Sequence, residues 1–260
     1  MKPAGGLFLT LAALAAAAPA TAGPWTLPKG EGQVIVKFED MRADQGFDPD
    51  GNLADLPAER RDTVVSVFAE YGLTPRLTLR FKGDWQSGQD AFVDYEGRGP
   101  LEIGVNWQVW RDDKTALALY GAVADGGEGR NAGYAPPGVG GQDWEVRASL
   151  GRSFGPSRWV FRGATGGFVT LEAARRLRGG LPDETRVDAT LGLHFGDDWM
   201  LLNQAYGGQA DDGGPRWLSV ETSLVRRFGP WSVQAGWREA LSGRETPDSS
   251  GPVIGLWRRF

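Results

Sequence analysis

Between residues 77 and 86 the chain alternates without a break: Leu77, Leu79, Phe81, Gly83 and Trp85 share one parity, and Thr78, Arg80, Lys82, Asp84 and Gln86 share the other. The pattern recurs at 101–109, where Leu101, Ile103, Val105, Trp107 and Val109 oppose Glu102, Gly104, Asn106 and Gln108, and again at 143–151, 186–195 and 231–238. A period of two places one face of a strand in an apolar medium and the other in a polar one, whereas helical spacing is hard to find. Carried along the chain, this rule predicts about twelve strands, at 32–43, 61–73, 76–87, 99–111, 114–125, 143–154, 167–179, 184–195, 199–210, 215–227, 231–242 and 251–260. Each has roughly 10 to 14 residues, near the length a tilted strand needs to cross a bilayer. Two are irregular: Arg175 falls on the apolar face of 167–179, and the LLNQAYGG segment of 199–210 is polar on both faces.

The connections sort by length. LTPR at 73–76, RDDK at 111–114, GDDW at 196–199 and FGPW at 228–231 are tight turns, while 44–60, 88–98 and 126–142 are long and polar. Short turns at one end and long loops at the other predict an all-β fold, an antiparallel up-and-down transmembrane β-barrel of about 12 strands, with periplasmic turns and extracellular loops. The segment 155–166 breaks the scheme, since it should be tight and is not. Trp199 and Trp231 start strands after turns, and Trp85, Trp144 and Trp217 lie near the loop ends, as in the aromatic girdles of such barrels. A soluble β-sandwich with a Trp-rich core is the competing architecture.

The first 22 residues change the setting. Lys2, an apolar run from Leu7 to Ala18 and the Ala20-Thr21-Ala22 end have the form of a secretory signal, too short for a membrane-spanning helix. Residues 1–22 are expected to be cleaved and 23–260 to form the barrel, in the bacterial outer membrane. A mean hydropathy of -0.34 fits strands better than apolar helices, and the absence of cysteine excludes disulfides, thiolate metal sites and a Cys nucleophile. At the other terminus an even strand count returns the chain to the turn end, where the last strand must pair with the first. There Ile254, Leu256 and Phe260 share the outward parity, with Arg258 also on that face. A terminal aromatic behind alternating apolar residues resembles the signal that the barrel assembly machinery reads in bacterial outer-membrane proteins.

The segment AEYGLTPRLTLRF, Ala69 to Phe81, is similar to the E-x-G-L-T-x-x-L-x-L hairpin of the transporter-like and MetA-pathway-of-phenol-degradation barrel families. That resemblance implies the same barrel architecture. Expected partners are outer-membrane lipid and lipopolysaccharide, the barrel assembly machinery and a small-molecule solute, with no nucleic acid.

Chemistry has little support. Gly151-Arg152-Ser153-Phe154-Gly155 matches G-x-S-x-G, but Pro156 and extended sequence follow where a nucleophile elbow needs a helix. His194 is the single histidine, and base, nucleophile and orienting group are not jointly visible. Outer-membrane phospholipases resemble this chain in strand number, but they carry Ser and His two apart on an outward-facing strand, and position 196 here is Gly. DPDGNLAD at 48–55 is rich in oxygen ligands, yet its glycine arrives two places too early for a calcium loop, so a solvated loop is expected and cation bridging to lipopolysaccharide is the alternative. No catalytic residue, metal or cofactor is expected.

The inward parity carries Lys37, Glu39, Glu70, Arg80, Lys82, Asp84, Glu102, Glu145, Arg147, Glu172, Arg176, Asp188, Glu221 and Arg238. An Arg or Lys facing lipid at mid-membrane costs about 2–4 kcal/mol, so these charges belong to a lumen. Two roles follow, a narrow passive channel for small polar or amphipathic solutes, and a structural or partner-binding barrel with a closed lumen. The Gly-rich segment 126–142 is by default a mobile surface loop. Folded inward, it would bring Arg130 and Tyr134 to Glu102 or Glu145.

Overall fold

The computed structural model describes residues 23–156 and 162–260. The expected cleavage after Ala22 and the centre of the 155–166 connection lie outside them.

The described residues form fourteen strands, in chain order β1 (Gly32–Phe47), β2 (Leu53–Thr74), β3 (Leu77–Gln89), β4 (Asp94–Arg98), β5 (Leu101–Arg111), β6 (Thr115–Asp125), β7 (Gln142–Phe154), β8 (Gly166–Leu177), β9 (Glu184–Phe195), β10 (Trp199–Ala210), β11 (Arg216–Phe228), β12 (Trp231–Arg244), β13 (Thr246–Pro247) and β14 (Ser250–Arg259). Each long strand pairs antiparallel with the next, and β1 pairs with both β2 and β14, which closes a barrel of 12 strands. The short β4 and β13 are additions at the loop end, paired to β3 and β1.

Closure is what the alternation requires. Outward residues such as Phe81, Ile103, Leu119, Val146, Leu171 and Leu224 are large, apolar and exposed around the wall, which suits lipid and not water. With lipid outside, every backbone N–H and C=O must be paired within the sheet. The seam meets that demand at its last residue: Phe260 N donates to Gly32 O at 3.0 Å and Gly32 N donates to Phe260 O at 2.7 Å. Ile254, Leu256 and Phe260 all face outward, and the Arg258 guanidinium lies over the Trp231 ring at 4.8 Å, on the same outer surface.

Turn chemistry fixes the short connections. The Asp112 side chain accepts from Lys114 N and Thr115 N, bonds that hold its pKa below the usual carboxylate range. At the hairpin singled out above, Thr74 Oγ1 accepts from Arg76 N at 3.2 Å and from Leu77 N at 3.0 Å, and Glu70 meets Arg80 across the pair.

Two expectations need correction. Residues 44–60 do not form a long loop, because β1 and β2 stay paired far beyond the barrel rim and only 48–52 turn the chain. Asp48 accepts from Asp50 N and Asn52 N there, so its carboxylate closes an Asx turn. Trp217 leaves the outer girdle: its ring lies across Gly208 and 6.1 Å from the Tyr134 ring. The regularity of the wall also survives Arg175, which stays on the outer face and pairs with Asp211 and with Asp183.

Candidate functional site

The same pleat that sends apolar residues to lipid sends their neighbours into the lumen, and the contacts prove the direction. Lys37 on β1 reaches Glu221 on β11 at 3.1 Å, Arg147 on β7 reaches Asp188 on β9 at 2.7 Å, and Arg176 on β8 reaches Glu102 on β5 at 3.0 Å. Each pair skips at least one strand, which is possible only on the concave side. Lys37, Glu39, Glu70, Arg80, Lys82, Asp84, Glu102, Glu145, Arg147, Glu172, Arg176, Asp188, Glu221 and Arg238 thus share the interior, and all but Asp84 are joined in two main networks and a separate pair.

The larger network covers the wall from β3 to β9. Lys82 and Arg176 share Glu102, Arg176 continues to Asp143 and Glu145, and Arg147 bonds Glu145, Glu172 and Asp188. Tyr120 donates to Glu102 at 2.9 Å, and its ring carries Arg80 and Lys82 on cation–π contacts of 5.6 Å. Arg178 and Arg186 add pairs to Glu184. Glu70 and Arg80 form their own pair at 2.7 Å. The smaller network lies on β1, β11, β12 and β14, where fully buried Glu221 accepts from Lys37, Ser223, Gln234 and Arg238, and Arg238 extends to Glu39 at 2.8 Å. Trp257 Nε1 donates to Gln234 at 3.1 Å. Removing one partner from a buried pair strands a charge and costs about 3–5 kcal/mol, so each network locks strands distant in sequence. Asp84 stands apart, accepting from Gln86 Nε2 at 2.8 Å.

Several of these residues escaped the sequence reading although the signal was present. Asp143, Glu184 and Arg186 share inward parity with Glu145 and Asp188. Trp257 sits on the inward side of a strand read only for its outward signal.

Residues 23–31, ahead of β1, form a strap inside the turn end of the barrel. Arg80 Nη2 donates to Gly23 O at 2.8 Å, Gln108 Nε2 to Pro24 O at 3.0 Å, and Leu27 N to Thr78 Oγ1 at 3.1 Å. Trp25 meets Phe168 edge to face, with centroids 6.0 Å apart. Two glycines make room for it: a Cβ on Gly151 would sit 2.5 Å from the Trp25 ring, and one on Gly72 would meet Pro28 O and Leu27 O. Three of the inward polar residues of β3 and β5 therefore grip main chain rather than water.

The 126–141 connection narrows the other end. It folds inward, against the default of a surface loop, and its contacts differ from those expected. Arg130 pairs with Asp90 and with Asp62 at 3.3 Å, and Tyr134 donates to Glu184 at 2.6 Å, so neither reaches Glu102 or Glu145. Arg60 Nη2 holds Gly133 O at 2.8 Å and Arg178 Nη2 holds Asn131 O at 2.7 Å, which anchors the loop to the β2 and β8 sides together. Burial pushes the Asp90 carboxyl up, but the N–H groups of Phe92 and Val93 and the Arg130 guanidinium outweigh it, so Asp90 titrates below its ordinary value.

What strap, loop and ion pairs leave open runs along the opposite wall. A cavity of about 320 Å³ opens between the β1–β2 hairpin, Tyr134 and Glu245, and it shares Tyr134, Thr246 and Pro247 with a second of about 420 Å³. That second cavity adjoins a third of about 150 Å³ at Tyr206, under the Arg238 guanidinium 4.9 Å away. The third meets a last one of about 290 Å³ at Trp257, on the turn end. Tyr206 and Trp257 are the residues that adjoining cavities share.

Ser153 and His194 do not form a catalytic pair. Ser153 Oγ donates to Lys114 O at 3.2 Å, and His194 faces the last cavity with its ring 6.2 Å from Phe168.

No family model matches the chain, and no curated protein matches it in sequence. In structure the chain resembles an outer membrane channel from Pseudomonas putida F1, with a TM-score of 0.62, 12% identity, and coverage of 91% of this chain and 98% of that one. The KdgM porin follows at a TM-score of 0.53, 7% identity, 88% of this chain and 99% of that one, and the NanC porin at 0.51, 8%, 86% and 97%. At these identities the likeness is one of fold, that of the outer-membrane channel barrels.

Because the chain has no cysteine, the strap can be tested with a single label. Thr26→Cys should resist a maleimide in the folded barrel, and adding Gly151→Val should make it react at least tenfold faster by displacing Trp25. Equal rates in the two proteins would mean that the strap does not occupy the lumen.

Proposed function

We propose that this protein, exported by its first 22 residues, is an outer-membrane barrel acting as a narrow passive channel for small polar or amphipathic solutes, with no chemical step, cofactor or metal. The turns and both chain ends face the periplasm and the long hairpin and the 126–141 loop face outward. The observation that carries this reading is the file of four adjoining cavities from loop end to turn end, since a lumen serving stability alone has no need of a file of cavities that reaches both mouths. The inward charges lend it a polar wall, and a barrel of 12 strands fits between the packed interior of eight and the wide channel of sixteen. A KdgM porin is also known in complex with disordered oligogalacturonate, so a barrel of this fold has room for a polar solute.

A closed barrel with a structural or partner-binding role is the second reading, favoured by the strap and by the ion pairs that tie distant strands together. Planar bilayer recording decides between them. Small discrete conductance steps are expected, larger when residues 129–139 are deleted, because the inward loop narrows the entrance. Folded protein that gives no steps across a range of voltages would contradict the channel and leave the closed barrel.

Ile254, Leu256 and Phe260 form the outward face we assign to the barrel assembly machinery. Deleting Phe260 should lower the amount of barrel in the outer membrane, scored as protein whose gel mobility changes on boiling. Undiminished amounts would refute the assignment.

A further inference from the structure

The strap begins where the balance of charge inside the barrel falls one cation short. Arg80 pairs with Glu70, and Arg147 is the one ion-pair partner, among the described residues, of both Glu172 and Asp188. Arg147 also bonds Glu145, which has Arg176 and Arg186 besides, and Lys82 is taken by Glu102. Glu70, Glu172 and Asp188 thus depend on two guanidiniums. On the same wall, three buried side chains lack hydrogen-bond partners among the described residues: Glu70 at Oε2, Asn106 at both amide atoms and Ser149 at Oγ. Ser149 stands directly opposite Glu172 in the β7–β8 register, and Asn106 stands opposite Thr78, whose hydroxyl accepts from the strap. Buried polar groups are nearly always paired, so a cluster of unpaired acceptors beside excess carboxylate calls for a cationic donor.

Gly23 lies at that place. Arg80 bridges it to Glu70, with Nε on Glu70 Oε1 at 2.7 Å and Nη2 on Gly23 O at 2.8 Å. A Cβ built on Gly23 would sit 3.5 Å from Glu172 Oε1 and 2.9 Å from Thr170 Cγ2, so the residue adjoins the Glu172 carboxylate and leaves no room for a side chain. Its φ of +113° favours glycine as well. Gly23 is also the first residue after the expected cleavage site. Hydrolysis of the Ala22–Gly23 peptide bond by water leaves a carboxylate on Ala22 and turns the Gly23 amide into an α-amino group. Such a group is largely protonated at neutral pH, and as an ammonium it has three N–H donors.

We propose that the lumen is a seat for the mature amino terminus, in which the Gly23 ammonium is the counterion of Glu172, with Ser149 Oγ and the unpartnered oxygen of Glu70 as further acceptors. This rests on export with removal of residues 1–22 and holds for an open and a closed barrel alike. Processing then does more than release the chain. The charge that completes the interior exists only once the signal is gone, so the strap takes its final seat in the mature protein.

Acylation of the Gly23 amine, read by mass spectrometry of the N-terminal peptide, tests the seat in barrel isolated from the outer membrane. The intact mass should be that of chain 23–260, and the amine should react at least tenfold more slowly in the folded, heat-modifiable barrel than after denaturation. Glu172→Gln should speed that reaction at least fivefold. In the same background the Thr26→Cys thiol should gain less than twofold, because Trp25 and the bonds from Arg80 and Gln108 still hold the strap. Ser149→Ala, which breaks no hydrogen bond, should raise amine reactivity at least twofold and serves if Glu172→Gln fails to assemble. An amine equally reactive in folded and denatured barrel, one unmoved by either variant, or equal gains at the amine and at the residue-26 thiol would each overturn the seat. An intact mass that keeps residues ahead of Gly23 would sink the cleavage reading and the seat with it.

Discussion

A strand in lipid has no water to satisfy its backbone, and this one constraint organises the molecule. It forces the sheet to close, so β14 returns to β1 and Phe260 must bond Gly32. Closure then divides every strand into two surfaces with opposite demands. The outer one accepts aromatics and branched aliphatics. The inner one receives all the charge that sequence alternation places on the other parity, and that charge has to be balanced inside.

Balance is achieved unevenly around the barrel. On the wall from β3 to β9, carboxylates and guanidiniums neutralise one another while the strap accepts hydrogen bonds from Arg80 and Gln108 and donates one to Thr78. Here the lumen is a core, apolar at Trp25 and Phe168 and ionic above them. Along β9 to β14 and β1 the side chains are smaller or bonded along the wall, as in the Trp257, Gln234, Glu221 series, and space remains. The space left inside the barrel is therefore off-axis, in adjoining cavities that share Tyr206 and Trp257.

The barrel could be read from the sequence because its rule is local: a period of two needs only neighbours, and tight turns such as LTPR and RDDK carry their own chemistry in Thr74 and Asp112. The inward charges were legible for the same reason. Their partners were not, since pairing Lys37 with Glu221 depends on how far the wall curves, which no local pattern records. The strap was missed because Pro24, Trp25 and Pro28 have no period; a large aromatic between prolines just after the expected signal was the available clue. The loop was judged by composition, and its glycines describe an irregular backbone equally well inside or outside the barrel. Trp217 was misplaced because it was read for its aromatic type, although it shares the parity of inward Glu221 and β11 pairs with β10 without a shift.

The central claim is that the lumen is filled on one wall and open along the other. Cysteine scanning with a small thiol-reactive cation tests it in a chain that has no cysteine of its own. Thr190→Cys and Gln204→Cys line the third cavity, whereas Asn106→Cys and Ser149→Cys lie buried on the filled wall. The first pair should react at least tenfold faster than the second in the folded barrel. Equal rates, or faster reaction at 106 and 149, would contradict the off-axis path.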